Sequence, residues 1–124
     1  MSGSAGLVHV APRVDRSVPI CEVEGEIDAS NVESVFEQLL RSAPSDGPGL
    51  VLDLTRTAYL DSAGVRILFE LARRLRTHRQ ELRIAVPGDG IVRRVLVLTA
   101  LADVVPLHED AESAAAVLRA RVAL

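Results

Sequence analysis

The segment at residues 49–75, GLVLDLTRTAYLDSAGVRILFELARRL, constrains the fold most, because its hydrophobic pattern changes from one period to another within a single stretch. Its first residues are apolar except for Asp53, a pattern typical of a central strand that is covered on both faces. Tyr59 and Leu60 resume the apolar pattern after a short polar interval. From Val65 onward, apolar residues recur at helical spacing and charged residues fill the other positions. The segment therefore predicts a buried strand that leads into an amphipathic helix.

Asp61 and Ser62 lie at the point where this helix is predicted to begin. A short side-chain oxygen at either position can accept a hydrogen bond from the unpaired amides of the first turn, so either residue can act as the N-cap. Gly64 allows another part of the backbone to approach closely. A plain N-cap explains the local pattern by itself. The alternative is a functional hydroxyl on Ser62, placed at a polar and electropositive helix start.

The rest of the chain alternates strand and helix patterns after an opening hairpin. Strands are predicted at 7–10, 20–27, 50–54, 82–86 and 104–107, and helices at 32–43, 65–76, 90–99 and 111–122. Ser30 and Glu33 have the spacing of a capping box at the first helix. Asp89 and Asp110 are the predicted caps of the last two helices.

This order of elements predicts an α/β fold, with a mostly parallel or mixed sheet of about five strands covered by about four helices. The length of 124 residues suits one small domain, which we expect at 7–124 after a flexible tail at 1–6. Apolar residues make up 48% of the chain but aromatic residues only 2%, so the core is expected to be aliphatic.

Composition also argues against several classes of function. With few aromatic residues and a net charge of −3, the chain offers neither a stacking platform nor a basic surface for nucleic acid. Cys21 is the single cysteine, and its alternation with apolar neighbours predicts a buried side chain. His9, His78 and His108 lack metal-ligand spacing, so no metal and no cofactor are expected. Since there is no long apolar run and no signal peptide, we expect a cytoplasmic protein that does not bind a membrane.

Three polar side chains are expected at one edge of the sheet, because the carboxyl ends of parallel strands lie together. Asp28, Asp61 and Ser62 each follow a predicted strand. Paired carboxylates can perform acid–base chemistry, although Asp28 also fits the start of the first helix. A hydrolase serine needs G-x-S-x-G and a neighbouring base, but Leu60 replaces the first glycine and only His108 could approach. The sequence therefore predicts a substrate of enzymes and not an enzyme.

Three motifs occur in a fixed order along the chain from residue 20 onward. They are V-E-G-E-I-D at 23–28, D-S-A-G at 61–64, and V-R-R-V-L at 92–96 with the leucine and threonine that follow. Together they resemble the anti-sigma factor antagonists, the bacterial members of the STAS domain group. Ala100 departs from the family pattern, which usually has glycine after the third helix, and a left-handed turn there costs alanine conformational energy.

The resemblance implies that Ser62 is a phosphorylation site, with Asp28, Asp61, Ala63 and Gly64 as its neighbours in the switch. It also implies that the unphosphorylated form binds an anti-sigma factor that is a GHKL-type serine kinase, and so frees a sigma factor for transcription. A PP2C-type phosphatase would then reset the switch. One alternative is a STAS scaffold without a switch, or a subunit of a signalling or transport assembly, and another is a small hydrolase.

The surface that faces the kinase is expected where arginines of the second helix meet the entry to the third. Its predicted residues are Arg66, Arg73, Gly88, Asp89, Gly90, Arg93 and Arg94. Ordinary solvated surface charge is the alternative explanation for these arginines.

Overall fold

The computed structural model describes residues 7–122, which form one sheet with helices packed on it. The strands are β1 (Val8–Asp15), β2 (Val18–Ile27), β3 (Gly49–Asp53), β4 (Thr57–Leu60), β5 (Glu81–Ala85) and β6 (Leu107–His108). The helices are α1 (Val32–Ser42), α2 (Ser62–Thr77), α3 (Ile91–Leu98) and α4 (Ala111–Val122), and a 3-10 helix spans Leu101–Asp103. The predicted tail at 1–6 and the last two residues of the predicted domain lie outside the described residues.

The strands are ordered β1-β2-β3-β5-β6, and β4 pairs with the end of β2. β1 and β2 pair antiparallel, whereas β2–β3, β2–β4, β3–β5 and β5–β6 pair parallel. The opening hairpin and the mostly parallel sheet are therefore confirmed. The parallel pairs place the carboxyl ends of β2, β4 and β5 toward the same edge of the sheet, where the chain enters α1, α2 and α3.

All five residues of β3 are buried, which confirms the prediction of a central strand covered on both faces. Leu50 and Leu52 pack in a large aliphatic cluster with α1, α2 and α3. Val51 points to the opposite face, because side chains alternate along a strand, and it packs with Val18 and Ile20 under the alanine-rich face of α4. The sheet therefore separates two cores, and α2 lies on the face opposite α4.

The described sheet has six strands, in agreement with the prediction of about five, and the additional strand is β4. The chain turns between β3 and β4, where Asp53 Oδ1 accepts hydrogen bonds from Thr55 N at 2.9 Å and from Thr55 Oγ1 at 2.6 Å. This local turn ends β3. The chain then resumes as β4, where the hydroxyl of Thr57 donates to the carbonyl of Val23 at 2.7 Å. The apolar pair at 59 and 60 is therefore the end of a strand of its own.

The predicted capping box of α1 is wrong. The N-cap residue is Asn31, and the Ser30 hydroxyl donates to Asp28 Oδ1 at 2.5 Å instead of capping the first turn. The Asn31 amide is directed back to β2, where its Nδ2 donates to the carbonyl of Glu26 at 2.8 Å and its Oδ1 accepts from Asp28 N at 3.1 Å. The residues before α1 thus stabilise the end of β2.

Two further predictions in the C-terminal half are corrected. Gly90, not Asp89, precedes α3 as its N-cap. The strand expected at 104–107 is reduced to β6, because Val104 N and Val105 N donate to the carbonyl of Leu101 at 3.0 and 2.9 Å and so continue the 3-10 turn. The cap predicted for α4 is confirmed, since Asp110 Oδ1 accepts from Ser113 N at 2.8 Å.

Cys21 is fully buried, as predicted, and burial raises the pKa of its thiol. Between residues 7 and 122, no helix is both long enough and apolar enough to cross a membrane.

Candidate functional site

The start of α2 is stabilised by Asp61, which is the N-cap residue and has an extended backbone at φ −102° and ψ −171°. Its Oδ1 accepts a hydrogen bond from the backbone N–H of Gly64 at 3.1 Å. The ambiguity between Asp61 and Ser62 is thereby resolved, because Ser62 is the first residue of the helix and does not cap it. Because Asp61 provides the cap, the hydroxyl of Ser62 is not needed to cap the helix.

The Ser62 side chain is exposed, and its hydroxyl makes no hydrogen bond to any described residue between 7 and 122. A serine in the first turn of a helix often accepts a hydrogen bond from a nearby backbone N–H. Here Asp61 makes that contact instead. The local structure therefore gives no stabilising role to this hydroxyl, and leaves it accessible to a second protein.

Asp28 and Asp61 lie side by side, as predicted, because they follow Ile27 and Leu60, which are partners in the β2–β4 pair. The link is direct, since Asp61 N donates to the carbonyl of Ile27 at 3.2 Å. Hydrogen bonds from the hydroxyl and the backbone N–H of Ser30 hold the pKa of Asp28 below its ordinary value. The edge of the sheet beside Ser62 therefore carries a stable negative charge.

Gly64 and Ala63 set the distance between the helix and this edge. A Cβ added at Gly64 would lie 2.7 Å from Leu60 Cδ1 and 3.2 Å from Ile27 Cγ2. Ala63 packs, partly buried, against the main core. The small residues of the D-S-A-G motif therefore let α2 begin directly on the ends of β2 and β4.

None of the three histidines is bonded to Ser62 in the described structure. His108 lies at the end of β6, with its Nε2 2.9 Å from Arg83 Nη1. His78 follows the last residue of α2, and its ring bonds the carbonyl of Arg74. His9 lies in β1 between Val8 and Val10, whose side chains pack against the main core, so the imidazole is on the opposite face of the sheet from α2. Within residues 7–122, no histidine is therefore bonded to Ser62 as the base of a Ser-His pair would be.

Within residues 7–122, no cluster of three or more histidine, cysteine or carboxylate side chains could hold a metal ion. What the edge offers chemically is an exposed hydroxyl beside two carboxylates.

Three residues of the predicted partner surface are bonded within the protein. Gly88 N donates to Glu109 Oε1 at 3.0 Å, and Arg93 Nη1 donates to the carbonyls of Val86 and Pro87 at 3.2 and 3.4 Å. Arg73 pairs with Glu70 on its own helix.

The remaining four residues of this surface, Arg66, Asp89, Gly90 and Arg94, are exposed. The side chains of Arg66, Asp89 and Arg94 make no ion pair or hydrogen bond within residues 7–122. Arg66 lies one turn along α2 from Ser62, and Arg94 lies on α3, which packs against β4. Two guanidinium groups that are unpaired within the described residues thus lie on α2 and α3, near the start of α2.

Exposed apolar side chains on the same elements were not among the predicted site residues. Ile91, Val97 and Leu98 of α3 are 50%, 55% and 77% exposed, and Phe69 of α2 and Val104 line one shallow groove with Arg66 and Arg73. The signal in the sequence was the excess of apolar residues in α3 over what one buried face needs. Apolar side chains beside free arginines are typical of a protein interface.

Comparison with known proteins identifies the family of this chain. The family model of the STAS domain matches residues 9–114. The anti-sigma-B factor antagonist of Listeria monocytogenes is 32% identical over 85 residues, which cover 68% of this chain and 74% of that protein.

Solved structures have the same fold. The crystal structure of an anti-sigma factor antagonist from Mycobacterium paratuberculosis matches with a TM-score of 0.76 and 25% identity, over 92% of this chain and 96% of that chain. The anti-sigma factor antagonist SpoIIAA in its unphosphorylated form matches with a TM-score of 0.65 and 20% identity, over 94% of this chain and 97% of that chain, a likeness that concerns the fold alone. From the family match and these relatives, the chain belongs to the STAS domain family.

Proposed function

We propose that this protein is an anti-sigma factor antagonist that is switched off by phosphorylation of Ser62. The observation that carries the proposal is the exposed Ser62 hydroxyl, which makes no hydrogen bond within the described structure while Asp61 caps the helix. A hydroxyl without a structural role, in the motif that resembles the phosphorylation site of this family, is available to a kinase. The antagonist names of the sequence relatives support the same function.

The position of Ser62 explains how a phosphate could be added without unfolding the protein. A phosphoserine carries about −1.5 to −2 charges at neutral pH. At the first residue of α2 it would lie at the positive end of the helix dipole, beside amides that lack intrahelical partners. The phosphate therefore should not unfold the helix. Phosphorylation would instead change the affinity of a partner that binds at the start of α2.

Phosphorylation would concentrate negative charge at the binding edge. The phosphate would join the carboxylates of Asp28 and Asp61, and the pKa of Asp28 is already lowered by its hydrogen bonds from Ser30. A partner that approaches this edge with its own bound nucleotide phosphates would be repelled by the added charge. The unphosphorylated edge carries only the two carboxylates and is flanked by Arg66 and Arg94, so it would repel the partner less.

The proposed partner is an anti-sigma factor that is also a GHKL-type serine kinase, with a PP2C-type phosphatase to restore the hydroxyl. Binding would use Arg66 and Arg94 together with the exposed apolar residues Phe69, Ile91 and Leu98. In this scheme the protein acts in the cytoplasm as a substrate and a binding partner and performs no catalysis itself. No histidine is bonded to Ser62 in the described structure, which supports that role.

The test is incubation of the protein with the anti-sigma kinase of its own organism and Mg-ATP, followed by intact-mass measurement. One added phosphate is expected in the unmodified protein and none in Ser62→Ala. Ser34→Ala is the matched control, because Ser34 is also exposed in the first turn of a helix. Phosphate on a folded Ser62→Ala protein would contradict the assignment of the site.

Affinity for the same partner separates a switch from a scaffold. Ser62→Asp should weaken binding about tenfold or more, because it adds charge at the edge, whereas Ser62→Ala should bind nearly as well as the unmodified protein. Equal affinities of the two variants, measured by titration calorimetry, would favour a STAS scaffold without a switch.

A further inference from the structure

A second site is indicated at the opposite end of α2 from Ser62. A cleft of about 640 Å³ lies between the end of α2, the start of β5, the segment after the 3-10 helix and the end of α4. Its lining residues include Arg76, Arg79, Arg121, Glu81, Leu82 and Val104. Sites for small molecules have this size and this mixture of apolar walls and a few polar groups.

The charge of the cleft is positive in a protein whose net charge is −3. Glu81 Oε1 is bonded to Arg83 Nε at 3.1 Å and to Arg121 Nη1 at 3.2 Å, so this one carboxylate is shared by two guanidinium groups. Arg76 and Arg79 make no ion pair or side-chain hydrogen bond with any described residue. Their donors therefore remain available to an anion from solution.

The backbone of Arg79 is the second feature of the cleft. α2 ends in a Schellman motif, in which Arg79 N donates to the Arg76 carbonyl at 2.9 Å and Gln80 N donates to the Leu75 carbonyl at 2.9 Å. Arg79 occupies the left-handed position of that motif, with φ at +60°. Glycine is the favoured residue at this position, because a side chain there costs conformational energy. Arg16, Ser17 and Ala100 also have positive φ angles, but only Arg79 lines the cleft. The strain at Arg79 therefore has meaning only together with the other arginines there.

We infer that this cleft binds a small phosphorylated organic molecule. Arg76 and Arg79, which are unpaired within the described residues, line the cleft together with Arg121, which shares Glu81. Guanidinium groups have planar sets of N–H donors, which match the oxygens of a phosphate monoester. Leu82 and Val104 provide apolar walls for the organic part of the molecule. The site is separate from the Ser62 edge, since the 16 residues of α2 span about 24 Å, and it does not depend on the phosphorylation switch.

The test titrates phenyl phosphate into the full-length protein at low salt and follows backbone amide resonances. Saturable shifts are expected for residues around the cleft, such as Gly47, Gln80 and Val104, and no shift for Ser62. Inorganic phosphate is the comparison, and it should bind more weakly because it lacks the apolar part. Absence of saturable shifts, or shifts centred on Ser62, would overturn the inference. Equal affinity for inorganic phosphate would overturn the role of the apolar walls.

Arg79→Gly is the decisive variant. It removes one guanidinium and also relieves the left-handed strain, so it should weaken phenyl phosphate binding about tenfold while raising the melting temperature by about 2–5 °C. Arg74→Gln is the matched control, because Arg74 lies on the same helix but pairs with Glu70 outside the cleft. Unchanged binding in Arg79→Gly, or an equal loss in Arg74→Gln, would show that the cleft has no specific anion site. A melting temperature lower than that of the unmodified protein would overturn the strain argument.

Discussion

Because Asp61 caps α2 and Ser62 does not, alanine substitutions at these two adjacent residues should change stability by different amounts. Asp61→Ala removes the side chain that accepts from Gly64 N at 3.1 Å, and so leaves a first-turn amide without its cap. Ser62→Ala removes a hydroxyl that makes no hydrogen bond within the described structure. Both residues belong to the motif that suggested a switch, but only the aspartate supports the fold.

The magnitudes follow from these contacts. Loss of an N-cap costs about 0.5–2 kcal/mol, and loss of a carboxylate at the positive end of a helix dipole costs about 0.3–1 kcal/mol. We therefore expect Asp61→Ala to lower the free energy of unfolding by roughly 1–2 kcal/mol. Ser62→Ala should change it by less than about 0.5 kcal/mol, because the side chain is exposed and alanine is the better helix former.

Urea unfolding followed by circular dichroism measures this difference. With a slope of about 1–3 kcal/mol per molar urea, Asp61→Ala should lower the midpoint by about 0.3–2 M, and Ser62→Ala should leave it almost unchanged. Asp61→Asn is the control that keeps a capping oxygen without the charge, and it should recover most of the loss. If Ser62→Ala were as unstable as Asp61→Ala, the hydroxyl would have a structural role, and its exposure would no longer support phosphorylation.

Two other predictions concern the rest of the fold. Ala100 has left-handed backbone angles of φ 66° and ψ 10° after α3, so Ala100→Gly should raise the free energy of unfolding by about 1 kcal/mol in the same urea assay. A lower midpoint in this variant would contradict the argument.

Burial, and then the nearby Arg83 guanidinium, lower the pKa of His108 below its ordinary value of 6.5. The unfolded chain therefore binds the proton first, and stability that is complete above the unfolded pKa should fall as the pH decreases below it. His108→Gln should show a smaller loss between about pH 7.5 and about pH 5.5, and an equal loss would assign the effect to other groups.

The sequence predicted the fold where local patterns and tertiary contacts agree. The apolar run of β3 is buried on both faces, and the motif at 61–64 begins α2 at the carboxyl ends of β2 and β4. The predictions that were wrong concern two helix starts and one short strand, where local backbone hydrogen bonds and turns decide the structure. Asn31 bonds the end of β2, a contact that the capping-box spacing of Ser30 and Glu33 does not reveal.

The anion cleft could not have been predicted by the same reasoning. Arg76 and Arg79 are close in the sequence, but Arg121 belongs to α4 and reaches them only because α4 packs across the sheet. The left-handed angle of Arg79 is also invisible in the sequence, where a run of arginines resembles a solvated helix end. By contrast, Ala100 was recognised as a strained position because its family usually has glycine there.

The Ser62 edge and the cleft lie at opposite ends of α2, and the electrostatic interaction between them is weak. Over about 24 Å in water, two phosphate charges at Ser62 interact with one guanidinium of the cleft by only about 0.3 kcal/mol, and a screening length of about 8 Å reduces this value further. Direct electrostatic coupling should therefore change the affinity of the cleft by well under twofold between Ser62→Asp and the unmodified protein. A larger change would require α2 to shift as a body. The buried Leu68, Leu71 and Leu75 and the Schellman hydrogen bonds at its end oppose such a shift, so the structure favours two independent sites on one rigid helix.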